Sequence, residues 1–283
     1  MTKTIKHLAR KRFGQNFLRD DRVIERIVGA INPRKDQHVV EIGPGLGALT
    51  APLLEHAGHL TAVELDRDLI PVLSTRFVNA QNFSILQADA LKFDFYSLTD
   101  RHLPFAEKQS GQQTQAGTGR LRLVGNLPYN ISTPLMLHLL QSPGAIADMH
   151  FMLQKEVVDR IAARPGSRQY GRLSIMAQYR CQVESVIAVG PEAFQPPPKV
   201  WSAVVRMVPF DELPYPCTND ALLNKVVSQA FSMRRKTLRN ALRTQVSAEQ
   251  LVGLGLDPQA RPETLSLADY VRLTDFIDSL RFC

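Results

Sequence analysis

Short apolar runs separated by amphipathic stretches set the framework of this 283-residue chain. Five such runs alternate with helical patterns between Val39 and Leu153, among them Val39–Ile42, Leu60–Val63, Phe83–Leu86 and Leu121–Val124. Runs this short, punctuated by segments of helical period, predict a parallel sheet covered by helices on both faces. Two further runs follow near Val183–Val189 and Val200–Val208. Pro209–Pro216 carries three prolines and reads as a linker. Beyond it, 222–280 keeps a helical period with Gly and Pro breaks near 253–262, and holds too few residues for a second sheet. The expected division is a sheet-bearing domain over 1–209 and a small helical domain over 217–283.

Candidate chemistry clusters where the predicted strands end. Val39-Val40-Glu41-Ile42 leads into Gly43-Pro44-Gly45-Leu46-Gly47, and an apolar helical pattern follows through Leu49, Leu53 and Leu54. Strand, glycine loop and helix is the start of a nucleotide-binding unit, since Gly43 and Gly45 let the backbone approach a ligand closely. The order Glu-x-Gly-x-Gly-x-Gly departs from the dinucleotide pattern. Glu41 would repel a pyrophosphate and welcome a cation, so the sulfonium and ammonium of S-adenosylmethionine suit the loop better than NAD does. Glu64, ending the next strand, is placed to accept from both ribose hydroxyls, and Asp89, after the third, from an adenine amino group. Each acid alone reads as readily as a solvated strand end. Three in succession at one edge of a parallel sheet point to a ligand.

The fourth strand runs into Asn126-Leu127-Pro128-Tyr129. An exocyclic amine on a nucleobase is a poor nucleophile, because its lone pair is delocalised into the ring. The Asn126 side-chain oxygen and the Leu127 carbonyl, its exposure set by rigid Pro128, are suited to accept the two amine hydrogens. Tyr129 offers a face for the base to stack on. Such positioning requires no acid or base residue. Taken alone, the tetrapeptide reads more readily as a turn after a strand.

Charge and composition narrow the partners. The net charge is +7, and Met1–Lys35 counts ten Lys or Arg against three Asp or Glu, which leaves 24 of each in the rest of the chain. A basic arm of this kind, with Lys11 and Arg12 in it, suits RNA, although a solvated face or a targeting segment gives the same count. No acid stands between Ala221 and Ala248; on one helix Arg235, Arg239 and Arg243 would form a stripe while Phe231, Leu238 and Leu242 face a core. Such a stripe is also what any surface helix shows. Cys181, Cys217 and Cys283 are scattered and indicate neither disulfides nor zinc. No apolar run is long enough to span a bilayer, and the N-terminus lacks an apolar signal core, so a reducing, cytoplasmic setting without membrane association is expected. Lys108–Gly119, rich in Gln and Gly, reads as a solvated surface insertion.

Several motifs in order extend the picture over nearly the whole chain: Arg12-Phe13-Gly14-Gln15-Asn16-Phe17-Leu18, Glu41-Ile42-Gly43-Pro44-Gly45, Glu64-Leu65-Asp66, Ala88-Asp89-Ala90, Asn126 through Pro134, Leu153-Gln154-Lys155-Glu156 and Phe194-Gln195-Pro196-Pro197-Pro198-Lys199-Val200. In these the chain resembles the small-subunit (16S) ribosomal RNA adenine dimethyltransferases, the KsgA or RsmA family. The resemblance implies a class I methyltransferase, Rossmann-like α/β fold with a mostly parallel seven-stranded sheet, whose last two strands form an antiparallel edge pair. It implies that Asn16 and Leu18 close over S-adenosylmethionine, that Gly43 contacts it through the backbone, and that Phe194 is a second aromatic wall opposite Tyr129; Phe194 could equally pack a loop onto the core. The implied reaction is dimethylation at N6 of two adjacent adenosines in the 3′-terminal hairpin loop of 16S rRNA, in an immature small subunit, by a monomer and without a metal. Large-subunit rRNA adenine methylases share these motifs, a non-catalytic ribosome assembly factor on the same fold is a rival of another class, and an NAD oxidoreductase is the weakest contender. Trp201 stands where the family usually carries Asp or a small polar residue.

Overall fold

A computed structural model describes residues 16–99, 119–128, 131–140, 143–233 and 235–281. Lys11, Arg12, Tyr129, Cys283 and nearly all of the insertion before the fourth predicted strand lie outside them. Among the described residues, two units divide the chain: 1–158 with 184–209, and 159–183 with 210–281 as far as it is described.

The first unit opens with β1 (Phe17–Leu18) and α1 (Asp21–Ile31). Asp20 caps α1, its Oδ1 accepting from the N–H groups of Arg22 and Val23 at 2.9 and 3.1 Å. Next come β2 (His38–Ile42), α2 (Thr50–His56), β3 (His59–Glu64), α3 (Ile70–Arg76), β4 (Phe83–Gln87), β5 (Leu121–Asn126), α4 (Ser132–Leu139), β6 (Ile146–Gln154) and α5 (Lys155–Ile161). After α6 (Arg172–Arg180), the strands β7 (Cys181–Val189), β8 (Phe194–Gln195) and β9 (Ser202–Pro209) complete the β-structure. The large sheet has the order β4-β3-β2-β5-β6-β9-β7. Pairs from β4 through β6 are parallel, and β6 pairs with β9 antiparallel. This is the expected α/β architecture. Every residue of β2 is buried, which is why the central strand reads as a nearly unbroken apolar run rather than an alternation.

Chain order reverses between β2 and β5. Strands β3 and β4 build outward on one side of β2, and β5 and β6 on the other, so the crevice over their carboxyl ends is where an open parallel sheet binds ligands. Gly125 lets the two central strands meet: a Cβ there would stand 2.4 Å from the Ile42 carbonyl oxygen. At the opposite end of β5, Arg122 grips Asp148 through two bonds of 2.9 and 2.7 Å and donates to the Ile31 and Asn32 carbonyls and the Gln37 side chain. That saturated guanidinium ties β5 to β6 and to the end of α1.

The second unit holds α7 (Asp220–Ser232), α8 (Leu238–Ala241), α9 (Ala248–Gly253) and α10 (Leu267–Ser279). Its core joins Tyr170, Ile175 and Tyr179 to Leu223, Val226, Val227, Leu238, Leu242 and Tyr270. Residues 159–183 therefore belong with the C-terminal helices, whereas a reading by contiguous composition put them before a boundary at 209. Past Pro209, the segment expected as a linker also belongs here, with Leu213 and the following Cys217 against this core. The single helix expected to carry the arginine stripe is not formed. Helix α7 stops at Ser232, and the N–H groups of Leu238 and Arg239 go to the carbonyls of Ala260 and Pro258 at 2.8 and 3.1 Å instead of a preceding turn. Leu238 and Leu242 are buried as expected, and Arg235, Arg239 and Arg243 are exposed, with only Arg239 in a helix.

Candidate active site

A cavity of about 760 Å³ lies over the carboxyl ends of β2, β3, β4 and β5. It is lined by the glycine loop after β2, by Glu64, Leu65 and Asp66 after β3, by Ala88 to Ala90 after β4, and by Asn126, Leu127 and Pro128 at the end of β5. Its size suits a ligand of nucleoside dimensions.

The glycine loop explains itself by backbone geometry. Gly43, Gly45 and Gly47 have φ of 66°, 59° and 81°, a region that costs other residues roughly 1–2 kcal/mol. A Cβ on Gly43 would meet nothing within 4 Å, so the loop leaves open space where a side chain would otherwise project. A Cβ on Gly45 would press on the Phe17 ring at 3.2 Å. Phe17 thus lies against the loop from the side of β1, which pairs antiparallel with β8 in the register Leu18↔Phe194.

Two carboxylates stand under different constraints. Burial pushes the Glu64 carboxyl up from its ordinary value, while N–H groups of Asp66, Gly45 and Leu65 pull it back; the Asp66 bond to Oε1 is 2.8 Å. Those donors hold the Glu64 carboxylate in place at the cavity wall. Glu41, only 2% exposed, is pushed up to about 7, chiefly by burial and further by the charge of Glu64, against the pull of the Thr50 hydroxyl that donates to it at 2.5 Å. Glu41 lines the cavity from buried strand β2, and its raised carboxyl is partly protonated near neutral pH. Asp89 is half-buried, with Oδ1 accepting from the Leu91 N–H at 3.0 Å, a local bond that holds its side chain beside the cavity.

Asn126 carries the most specific geometry. Its Nδ2 donates to the Asn16 carbonyl at 3.0 Å, which assigns the amide orientation and leaves Oδ1 as the atom suited to accept from a ligand. The Leu127 N–H donates to Met152 in β6 at 3.1 Å, and the Pro128 carbonyl accepts from the Ile131 N–H and the Ser132 hydroxyl, both at 3.2 Å. These bonds close the turn and hold it against the cavity. Asn16, Leu18, Gly43, Gly45, Glu64, Asp89, Asn126 and Leu127 thus come together around one space. Phe194 does not join them: it is 5% exposed and packed with Leu18 in the core of the first unit, so its ring presents no face for a base. Arg235, Arg239 and Arg243 belong to the other unit. Arg76 lines the cavity unforeseen, with Nη1 donating to the Leu46 carbonyl at the glycine loop. Nothing in the local sequence of α3 announces that contact, because it depends on how the helix lies beside the loop.

The donor set fits S-adenosylmethionine: open space over Gly43, carboxylates after β3 and β4, and an amide oxygen at the far wall. Among the described residues, no group of three or more His, Cys, Asp or Glu could hold a metal ion, and no helix is long and apolar enough to cross a membrane.

Comparison with known proteins places these features among relatives. A family described as ribosomal RNA adenine dimethylase matches residues 6–279. Ribosomal RNA small subunit methyltransferase A of Hahella chejuensis is 57% identical over 273 residues, covering 96% of this chain and 94% of that protein. The protein of the same name from Pseudomonas savastanoi pv. phaseolicola is 54% identical, covering 97% of each. Among solved structures, a dimethyladenosine transferase from Plasmodium falciparum superposes with a TM-score of 0.72 at 24% identity, over 91% of this chain and 95% of that one. The 23S rRNA methyltransferase ErmE gives 0.68 at 24% identity, over 93% and 100%. Both structural likenesses show the fold.

Proposed function

The chain belongs to the ribosomal RNA adenine dimethylase family, and from that premise we propose that it transfers two methyl groups to N6 of each of two adjacent adenosines in the 3′-terminal hairpin loop of 16S rRNA. The substrate is the immature small ribosomal subunit, met in the bacterial cytoplasm by a monomer. S-adenosylmethionine supplies, when bound, an electrophilic methyl carbon on a sulfonium.

The observation that carries this reading is the orientation of Asn126. With Nδ2 committed to the Asn16 carbonyl, Oδ1 accepts one hydrogen of the adenine amine and the Leu127 carbonyl accepts the other, so the nitrogen lone pair is drawn out of conjugation. Tyr129 stacks on the base. Glu64 and Asp89 orient the donor by its ribose and adenine, and the proton leaves to solvent after transfer. Since Phe194 is buried, the base has one aromatic wall in this arrangement.

Large-subunit methylation is the competing reading, and the fold does not separate them, for ErmE superposes nearly as well as the dimethyladenosine transferase. Identities above 50% to proteins named for the small subunit favour the first. A non-catalytic assembly role leaves the acids and amide around one cavity without a purpose. The test is methyl incorporation into unmodified small subunits, with large subunits as control. Asn126→Ala is expected to lower kcat by about 10²- to 10³-fold, as loss of one preorganised hydrogen-bonding group does at a developing charge. An unchanged rate removes the mechanism, and methylation of large subunits instead removes the substrate.

A further inference from the structure

The one tryptophan of the chain stands 54% exposed, beside Val200 at 43%. A large aromatic surface left in water sits at a cost, and here its backbone is not loose. The Trp201 carbonyl accepts the Lys155 N–H at 2.8 Å, and the next residue, Ser202, is fully buried at the start of β9. Upstream, Phe194 is buried in the core, so the exposed run Gln195–Trp201 is pinned at both ends.

Strand register gives its place. Asn126 of β5 is opposite Met152 of β6, Met152 is opposite Val204 of β9, and Gln154 is opposite Ser202. Trp201 therefore emerges at the same sheet edge as Asn126, two strands across and three residues further along β6, roughly 14 Å away by ordinary strand spacings. Lys155, whose amide bonds the Trp201 carbonyl, and Lys199, two residues before it in the chain, are exposed, as are Glu156 and Glu192. An anchored indole with exposed lysines next to it in the chain and in the backbone pairing, on the edge that carries Asn126, has the composition of a single-stranded RNA platform: a π-face for a base and positive charge for the adjoining phosphates.

We propose that Trp201 stacks a nucleobase flanking the target adenosines, and so sets affinity for the rRNA loop without entering the transfer step. This rests on the proposed rRNA substrate. It assigns a base-binding subsite outside the cavity.

With one tryptophan, intrinsic emission reports this contact directly. Titration of the full chain with single-stranded oligoadenylate is expected to quench the emission by roughly half, while heparin, a polyanion without bases, leaves it nearly unchanged. In methyl transfer to unmodified small subunits, Trp201→Ala is expected to raise KM about ten-fold with kcat within about two-fold, and Trp201→Phe to stay near the parent. No quenching by oligoadenylate, equal quenching by heparin, or an unchanged KM in the alanine variant each overturns the inference. A raised KM without oligoadenylate quenching also overturns it and points to a ribosomal protein as the contact. If the parent transfers no methyl to small subunits, the proposed function falls, while the emission titration still decides the stacking.

Discussion

Glu41 holds a carboxyl group where water does not reach, and its protonation is therefore coupled to folding. Its folded value lies near 7 and its unfolded value near the ordinary 4.5, so between them the folded chain keeps a proton that the unfolded chain releases. Stability from this group is present at low pH and falls as pH rises through about 7. His38 and His150 act oppositely: burial lowers both to about 4, so their contribution is lost as pH falls from 6.5 toward 4. Glu41→Gln keeps an oxygen for the Thr50 hydroxyl and removes the ionisation. In urea titrations without ligand, its stability relative to the parent is expected to increase from pH 5 to about pH 7 and to level off above that; a pH-independent difference would show that Glu41 is ionised throughout. Packing adds to Glu41 what its motif does not show. Its position in the motif is visible in the sequence, but the hydroxyl that donates to it comes from Thr50 on α2, nine residues on.

Elements decide where the reacting groups stand, and two glycines separate the roles of strand and loop. Gly125 lies within β5, where an added Cβ meets the backbone of β2 at 2.4 Å, and neither strand is free to yield. Gly125→Ala is expected to destabilise by about 3 kcal/mol, at the upper end of ordinary overpacking, and to reduce methyl transfer by displacing Asn126 from the glycine loop. Gly43→Ala has open space around its Cβ and suffers only its positive φ, about 1–2 kcal/mol. The added methyl then projects beside the ligand, so weakened S-adenosylmethionine binding with a modest drop in Tm is expected. Calorimetric titration of the cofactor with thermal melts checks both; a larger Tm loss in the Gly43 variant would reverse the assignment. The break between α7 and α8 belongs to this scale too. Helical periodicity runs through it, yet the amides of Leu238 and Arg239 find tertiary carbonyls, and periodicity cannot register a change of hydrogen-bond partner.

Across the whole molecule, the chain leaves the first unit, contributes to the core of the second and returns to the first. Tyr170, Ile175 and Tyr179 are buried against residues of α7, α8 and α10, although β7 and β9 follow them in sequence. A fragment ending at Pro209 would keep these three side chains and lose their partners. It is expected to bind hydrophobic dye and aggregate on purification, while the full chain stays monodisperse; a well-behaved fragment with a sharp melt would show that 159–183 does not depend on the C-terminal helices. The net charge of +7 also belongs to this scale, since a surplus of positive charge attracts polyanions without selecting a base.

The sequence by itself determined the strand, glycine-loop and helix opening, the acids after β3 and β4, the Asn-Leu-Pro turn after β5 and the family to which these belong. Each is local: a positive φ, a strand end or a tight turn constrains the residues that occupy it, and spacing along the chain preserves the signal. Tertiary structure decided the burial of Phe194 against Leu18, the raised carboxyl of Glu41, the contact of Arg76 with the glycine loop, the Arg122 knot and the membership of 159–183. Those depend on which surfaces meet once distant segments are packed, and burial and hydrogen-bond partners exist only after that packing has occurred.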